Sequence, residues 1–308
     1  MAPSLIRIGT RGSPLALAQA TMVRAALARA HGVAEDAIEI TVIRTTGDTI
    51  QDRPLSDVGG KGLFTKEIEQ ALIDGTVDLA VHSAKDMLTV LPAGLVLAAC
   101  LPREDARDVL VSRAAKSIAE LPQGATVGTA SLRRQAQLKM LRPDLAVVPL
   151  RGNVETRLKK IAEGVADATI LALAGLKRLG LERAAAAVLE PDAFLPAVGQ
   201  GAIGLETRAD DDKTRQLIAP INDPATLTAV TAERAFLAVL DGSCKTPIAG
   251  HARIAGAALS FRGLIAKPDG SAAYECTREG AVADASALGA DAGAELRRRA
   301  GADFFAPA

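Results

Sequence analysis

At 308 residues, 49% of them hydrophobic, the chain is long enough for two or three domains with ample apolar cores. Lys plus Arg and Asp plus Glu both total 36, giving a formal net charge of +0, and aromatic residues make up 2% with no Trp. That balance excludes a general nucleic-acid surface, an anionic-membrane surface or a base-stacking platform, and leaves any anion site to a local cluster.

The N-terminal stretch Met1 to Ile8 enters a strand-like alternation without a charged-then-apolar leader, and no apolar run approaches the roughly 20 residues of a membrane span. A soluble cytoplasmic protein is therefore expected. Leu5 to Gly9 reads as a strand, and Ser13 as N-cap with Pro14 at the first helical position starts a helix bearing Leu15, Ala18, Met22, Val23, Ala26 and Leu27. Arg11 then lies beside a helix N-terminus that favours anions. A second strand, Ile38 to Arg44, leads into a polar segment as far as Gly59-Gly60-Lys61-Gly62, and a helix carrying Phe64, Ile68 and Leu72 stops at Gly75.

The octet Ala80-Val81-His82-Ser83-Ala84-Lys85-Asp86-Met87 is the first candidate for chemistry. The apolar run from Val77 to Val81 predicts a buried strand ending in a polar loop, and strand ends are where open α/β sheets keep their sites. Asp86 can serve as acid, base or cation stabiliser; Lys85 can hold an anion or form a Schiff base; His82 and Ser83 can orient them. Leu95 to Cys100 is a further strand, and the charged Arg103 to Arg107 reads as a hinge into a second unit.

In that unit Thr126 to Gly128 is a strand, Ser131 caps a helix opening on Leu132-Arg133-Arg134, Leu145 to Leu150 is a strand, and Asn153 caps a helix with Val154, Leu158 and Ile161. Ala168 to Leu173 is another strand, and after the Gly- and Pro-rich Phe194 to Gly201, Ala202 to Glu206 reads as a strand returning to the first half. Such alternation means βαβ units and mostly parallel sheets. After Asn222-Asp223-Pro224 the pattern changes: a helix over about 225–240 with Gly242 as C-cap, three alternating strands near 248–254, 258–267 and 272–277, and a helix over about 283–299 predict a small α+β domain.

Arg11, Arg133, Arg134, Arg151, Arg157 and Arg178 all fall at or just after predicted strand ends. A helix first turn is an unfavourable place for a cation, so the repetition points to carboxylated ligands held by guanidinium forks. Gly59 to Gly62 is not a Walker loop, because Leu55 and Gly62 stand where that pattern needs Gly and Ser or Thr; it reads as a lid or a close approach to ligand. Metal binding is not expected, since His31, His82 and His251 are far apart and no Cys pair has ligand spacing. Cys100 and Cys276 read as core or face residues in reduced form, whereas Cys244 lies in a loop beside Lys245, where a thiolate can be accessible.

Seven ordered blocks together resemble the porphobilinogen deaminase family: Thr10 to Ala16, Val58 to Phe64, Val81 to Asp86, Gly128 to Arg134, Leu150 to Val154, Leu195 to Gly201 and Gly242 to Cys244. The resemblance runs from about Ile6 to the C-terminal helix. It implies an α/β fold of two periplasmic-binding-protein-like, doubly wound domains with mostly parallel sheets, plus a small C-terminal α+β domain with a three-stranded antiparallel sheet. The expected boundaries are 1–102 with 201–220 for the catalytic domain, 103–200 for the carboxylate-binding domain and 221–308 for the cofactor-attachment domain.

The implied activity joins four porphobilinogen molecules, with loss of ammonia, into the linear tetrapyrrole hydroxymethylbilane. By the same resemblance a dipyrromethane cofactor is held by a thioether to Cys244, and Asp86 is the catalytic carboxylate. Arg11, Ser13, Gln19, Lys61, Ser83, Lys85, Thr129, Ser131, Arg133, Arg134, Arg151, Gly152, Arg157, Arg178 and Gln200 are the implied cofactor- and substrate-binding residues, Lys61 in a mobile loop, and His82 falls to a structural role. A monomer with no nucleic-acid or membrane partner is expected. The chain departs from the family at Leu88, where most relatives have Pro, and at Asp57, where some have Lys. The alternative reading is a two-lobed binding protein for carboxylated ligands that does no chemistry.

Overall fold

The computed structural model describes residues 4–49, 62–242, 246–301 and 304. Asp57, the predicted lid residues 59–61 with Lys61, and the expected attachment residue Cys244 lie outside them. The first unit runs β1 (Ile6–Thr10), α1 (Pro14–His31), β2 (Ile38–Val42), α2 (Thr46–Thr49), α3 (Lys66–Ile73), β3 (Leu79–Ser83) and β4 (Leu95–Cys100). The second runs β5 (Asp108–Ser112), β6 (Thr126–Gly128), α4 (Leu132–Leu141), β7 (Ala146–Val148), α5 (Val154–Ala162), β8 (Ala168–Ala172), α6 (Leu173–Arg178) and β9 (Ala187–Leu189). The chain returns through β10 (Ile203–Arg208) and α7 (Asp212–Ile218), then builds α8 (Pro224–Val239), β11 (Ile248–Ala255), β12 (Ala258–Ala266), β13 (Ala273–Ala281) and α9 (Ala285–Ala300).

Two five-stranded sheets have the orders β2-β1-β3-β10-β4 and β7-β6-β8-β5-β9, and a third is the antiparallel β11-β12-β13. In the first sheet β2, β1, β3 and β4 share a direction and β10 runs against them. In the second, β5 is the reversed strand. The mostly parallel, doubly wound expectation therefore holds, with one reversed strand per sheet. The predicted return to the first half is β10, which pairs with both β3 and β4.

Ser13 caps α1 by accepting from the Ala16 N–H at 3.3 Å, and Ser131 and Asn153 cap α4 and α5 in the same way. The stripe that α1 buries is Ala16, Gln19, Ala20, Val23 and Leu27; Met22 is exposed, because the helix turns its small residues toward the sheet for close packing. Buried Ile8, Leu79, Val81 and Leu205 complete that core. The second sheet buries Leu110, Val127 and Ile170 on one face and Val109, Val111 and Leu171 on the other. Phe236, Phe261, Ile265 and Leu296 fill the third unit.

Several sequence expectations shift. The strand of the octet runs on through His82 and Ser83, because β10 pairs them with Gly204 and Ile203. Phe64 precedes its predicted helix, which starts at Lys66. Gly242 is not the left-handed cap of α8: Asp241 takes the positive φ, 48°, while a Cβ on Gly242 would collide with Leu237 and Ile248. Gly242 is thus a glycine for space, not for backbone conformation. The strands β5 and β9 and the helix α7 are absent from the sequence expectations.

Candidate active site

Beyond the end of β3, a short turn over Ala84–Asp86 brings Asp86 into the lining of a small cavity, with Lys85 next to it in the chain. Arg11, Ser13, Gln19, Phe64, His82, Ser83 and Asp86 are among its lining, and among the described residues Asp86 is the sole carboxylate there. Gln19 Nε2 donates to Ser83 Oγ at 2.8 Å, which fastens α1 to the strand end. The Arg11 guanidinium stacks on Phe64, 4.2 Å from the ring centre. Phe64 and Thr65 are lining residues that sequence reasoning missed.

His82 is buried at the end of β3 and also lines the cavity. Its Nε2 lies 3.1 Å from Glu206 Oε2, at ion-pair distance though off the hydrogen-bonding angle, and both side chains are buried.

The second sheet brings its own cations close to Lys85 and Asp86. Arg133 and Arg134 each donate to the buried carboxylate of Asp108 at 2.7 Å. Gln200, fully buried, donates to Asp108 Oδ1 at 3.0 Å and to the Ala106 carbonyl at 2.6 Å, and its Oε1 accepts from Lys85 Nζ at 3.4 Å. Lys85, Gln200, Asp108, Arg133 and Arg134 thus form one network joining the two sheets. Asp108 was absent from the sequence reading; its signal was an acidic residue opening the apolar run Val109-Leu110-Val111.

Burial would raise the Asp108 carboxyl, but the charges and hydrogen bonds of Arg133 and Arg134 overcome it and hold the group well below the usual carboxylate range. Burial pushes the Lys85 ammonium down to about 8, with Asp86 opposing and Arg134 reinforcing the shift. Burial also lowers Arg157 to about 10, helped by the like charges of Arg134 and Arg151 and opposed by Asp86. Arg178 is lowered to about 10 by burial; its Nη2 donates to the Gly201 carbonyl at 2.6 Å, and its buried Nε has no hydrogen-bond partner among the described residues. The buried Nε of Arg134 has none either.

Thr129 accepts from the Ser131 N–H at 3.2 Å, which shapes the turn into α4. Gly152 holds φ 118° where a Cβ would lie 2.6 Å from Thr156 Cγ2, and its carbonyl accepts from Arg157 Nε. Cys100 and Cys276 are buried thiols, pushed up by desolvation to about 12 and about 11, as suits core residues. Among the described residues no group of His, Cys, Asp and Glu could hold a metal ion, and no helix is long and apolar enough to cross a membrane.

A site in which Lys85, Arg134 and Arg157 gather around Asp86, with a buried Arg134 Nε that no described residue pairs, suits a polycarboxylated ligand. The family model described as porphobilinogen deaminase, dipyromethane cofactor binding domain, matches residues 6–216, and its C-terminal domain model matches 227–298. The chain belongs to the porphobilinogen deaminase family.

A porphobilinogen deaminase of Nitrobacter winogradskyi is 65% identical over 301 residues, covering 98% of this chain and 95% of the relative. One from Paracoccus denitrificans is 59% identical, covering 97% and 96%. A putative methionine-binding lipoprotein of Bacillus subtilis, a solved structure, is 17% identical with a TM-score of 0.44, covering 71% of this chain and 90% of its own. Membership of the porphobilinogen deaminase family brings with it the dipyrromethane cofactor named in the description of its first domain.

Proposed function

We propose that this chain is a hydroxymethylbilane synthase: it removes ammonia from porphobilinogen and joins four molecules head to tail into hydroxymethylbilane. The observation that carries the reading is Asp86, the sole carboxylate among the cavity's described lining residues, set among the charges of Lys85 and Arg157. At each addition the aminomethyl C–N bond breaks, ammonia leaves with the electron pair, a C–C bond forms to the pyrrole α-carbon, and that carbon releases its proton. The Asp86 carboxylate faces the positive charge left on the incoming pyrrole and accepts the released proton. Water ends the series by hydrolysis.

Dipyrromethane, bound through a thioether to Cys244, supplies the pyrrole α-carbon to which the first substrate is joined. Arg134, Arg151, Arg157 and Lys85 bind carboxylates, with Arg11, Ser13, Gln19 and Ser83 on the opposite side of the site and Thr129, Ser131 and Gly152 shaping the turns that present the arginines. Arg133 and Gln200 act through Asp108, and Arg178 lines the cleft. Lys61 belongs to the loop over it. The sheet memberships support domains at 1–102 with 201–220, 103–200 and 221–308. We further take the protein to act as a cytoplasmic monomer.

The test is the intact mass of denatured protein, which should exceed the sequence mass by one dipyrromethane, with the increment abolished in Cys244→Ser. An active, unmodified Cys244→Ser would sink the attachment. Asp86→Ala should keep its fold and lose turnover by at least 10²-fold, as for a general acid–base group; normal turnover would reassign the role.

A further inference from the structure

The loop that carries Asp86 and the turn that leads to Cys244 are tied together by contacts the reaction does not use. Thr89 Oγ1 donates to the Gly242 carbonyl at 2.8 Å, two residues ahead of Cys244. From α8, Arg234 Nη2 donates to the carbonyls of Leu88 at 2.7 Å and Thr89 at 3.1 Å. These are charge-assisted bonds from a largely desolvated guanidinium, so they hold the backbone of residues 88 and 89 firmly. The segment's own backbone holds it weakly, since the Met87 N–H reaches the Ala84 carbonyl only at 3.4 Å.

Gly242 is pinned from the other side. Its N–H donates to the Leu237 carbonyl at 3.0 Å, and the side chains of Leu237 and Ile248 occupy the space where a Cβ would stand. The Thr89 hydroxyl therefore joins two stretches that are each held against α8. Leu88 extends the same segment toward Gly62, where a Cβ would lie 3.4 Å from both its δ carbons.

We propose that Thr89 and Arg234 are positioning residues that keep the turn leading to Cys244 in register with the Lys85–Asp86 loop. The cofactor-borne chain end is thereby presented to Asp86 without Thr89 or Arg234 touching substrate. The proposal rests on the roles given above to Cys244 and Asp86.

The test uses the holoenzyme with Thr89→Val, which keeps shape and removes the hydroxyl, and Thr89→Ser, which restores it. Amide hydrogen exchange is followed at residues 87–90 and 240–242, alongside kcat and KM for porphobilinogen. In Thr89→Val, exchange should rise about tenfold in both segments together, and kcat should fall about tenfold at unchanged KM, because one hydrogen bond is lost while the carboxylate-binding arginines remain. Thr89→Ser should return both to wild-type values. Unchanged exchange, a rise in one segment alone, or a Thr89→Ser as impaired as Thr89→Val would overturn the proposal. If Thr89→Val fails to fold, Thr89→Ala is compared with Thr89→Ser by the same criteria. Wild-type protein without the cofactor mass increment would instead sink the role of Cys244, and normal turnover in Asp86→Ala that of Asp86.

Discussion

Asp108 has two arginines on one fully buried carboxylate, a charge arrangement stable only because every partner is in place. Asp108→Ala leaves Arg133 and Arg134 buried and uncompensated, and should cost about 3–5 kcal/mol in urea unfolding at neutral pH. The carboxyl is depressed in the folded chain, so its contribution is present above the unfolded value of about 3.9 and is lost as pH falls through the folded one. The stability gap between wild type and Asp108→Ala should accordingly hold from neutrality down to about pH 4 and narrow only in stronger acid. Lys85 has the opposite chemistry. Its ammonium, lowered to about 8 by burial, loses its charge as pH rises through that value, so KM for porphobilinogen should rise there. Lys85→Arg should lack that limb, because a guanidinium stays protonated; an unchanged limb would remove Lys85 from carboxylate binding. The same shift makes Lys85 a cost to folding at neutral pH that fades between about 8 and the ordinary lysine value, where the unfolded chain holds the proton that the folded chain has lost.

The helices that carry the site are set by local rules, and those rules were visible in the chain. Ser13, Ser131 and Asn153 each precede an apolar-periodic run and each caps its helix. Asp223 does the same for α8, accepting from the Thr226 N–H at 2.7 Å, and Asp223→Ala should lower stability by about 1 kcal/mol in thermal or urea unfolding. Helix α9 obeys a rule of a different kind. Gly289 lies so close to α8 that a Cβ would collide with the Ala232 carbonyl oxygen, and Gly293 comes within 2.8 Å of the Phe236 carbonyl by the same measure. Gly289→Ala should therefore destabilise the third unit by about 1–3 kcal/mol or more despite the better helix propensity of Ala, measured as a lower urea midpoint. A stabilised Gly289→Ala would mean that the two helices can part without loss. Sequence periodicity showed α9 as a helix, but glycines at 289 and 293 said nothing by themselves about which neighbour they admit.

Across the whole molecule, the two crossings of the chain meet at a single buried carboxylate. Glu233 on α8 accepts from Arg103 at 2.6 and 3.1 Å, from the Gly199 N–H at 2.6 Å and from the Ala252 N–H at 2.8 Å. It thereby joins the outgoing segment after β4, the returning segment before β10, and β11 of the third unit. Glu233→Ala should cost about 3–5 kcal/mol, as expected when one partner of a buried ion pair is removed, and a cost below about 1 kcal/mol in urea unfolding would show that the crossings are held otherwise. The charged stretch Arg103 to Arg107 was legible as a hinge, yet its partner 130 residues later in the chain was not. The sequence alone determined most of the elements, the serine and asparagine caps, the seven family blocks and the residue types a carboxylated substrate requires, because each depends on local pattern or on short-range chemistry. Only the tertiary structure decided that Lys85 and Arg134 share one network through Gln200 and Asp108, that β10 draws His82 and Ser83 into the strand, and that Thr89 reaches Gly242. Those contacts join residues far apart in the chain, and burial, not spacing, sets their charge and geometry.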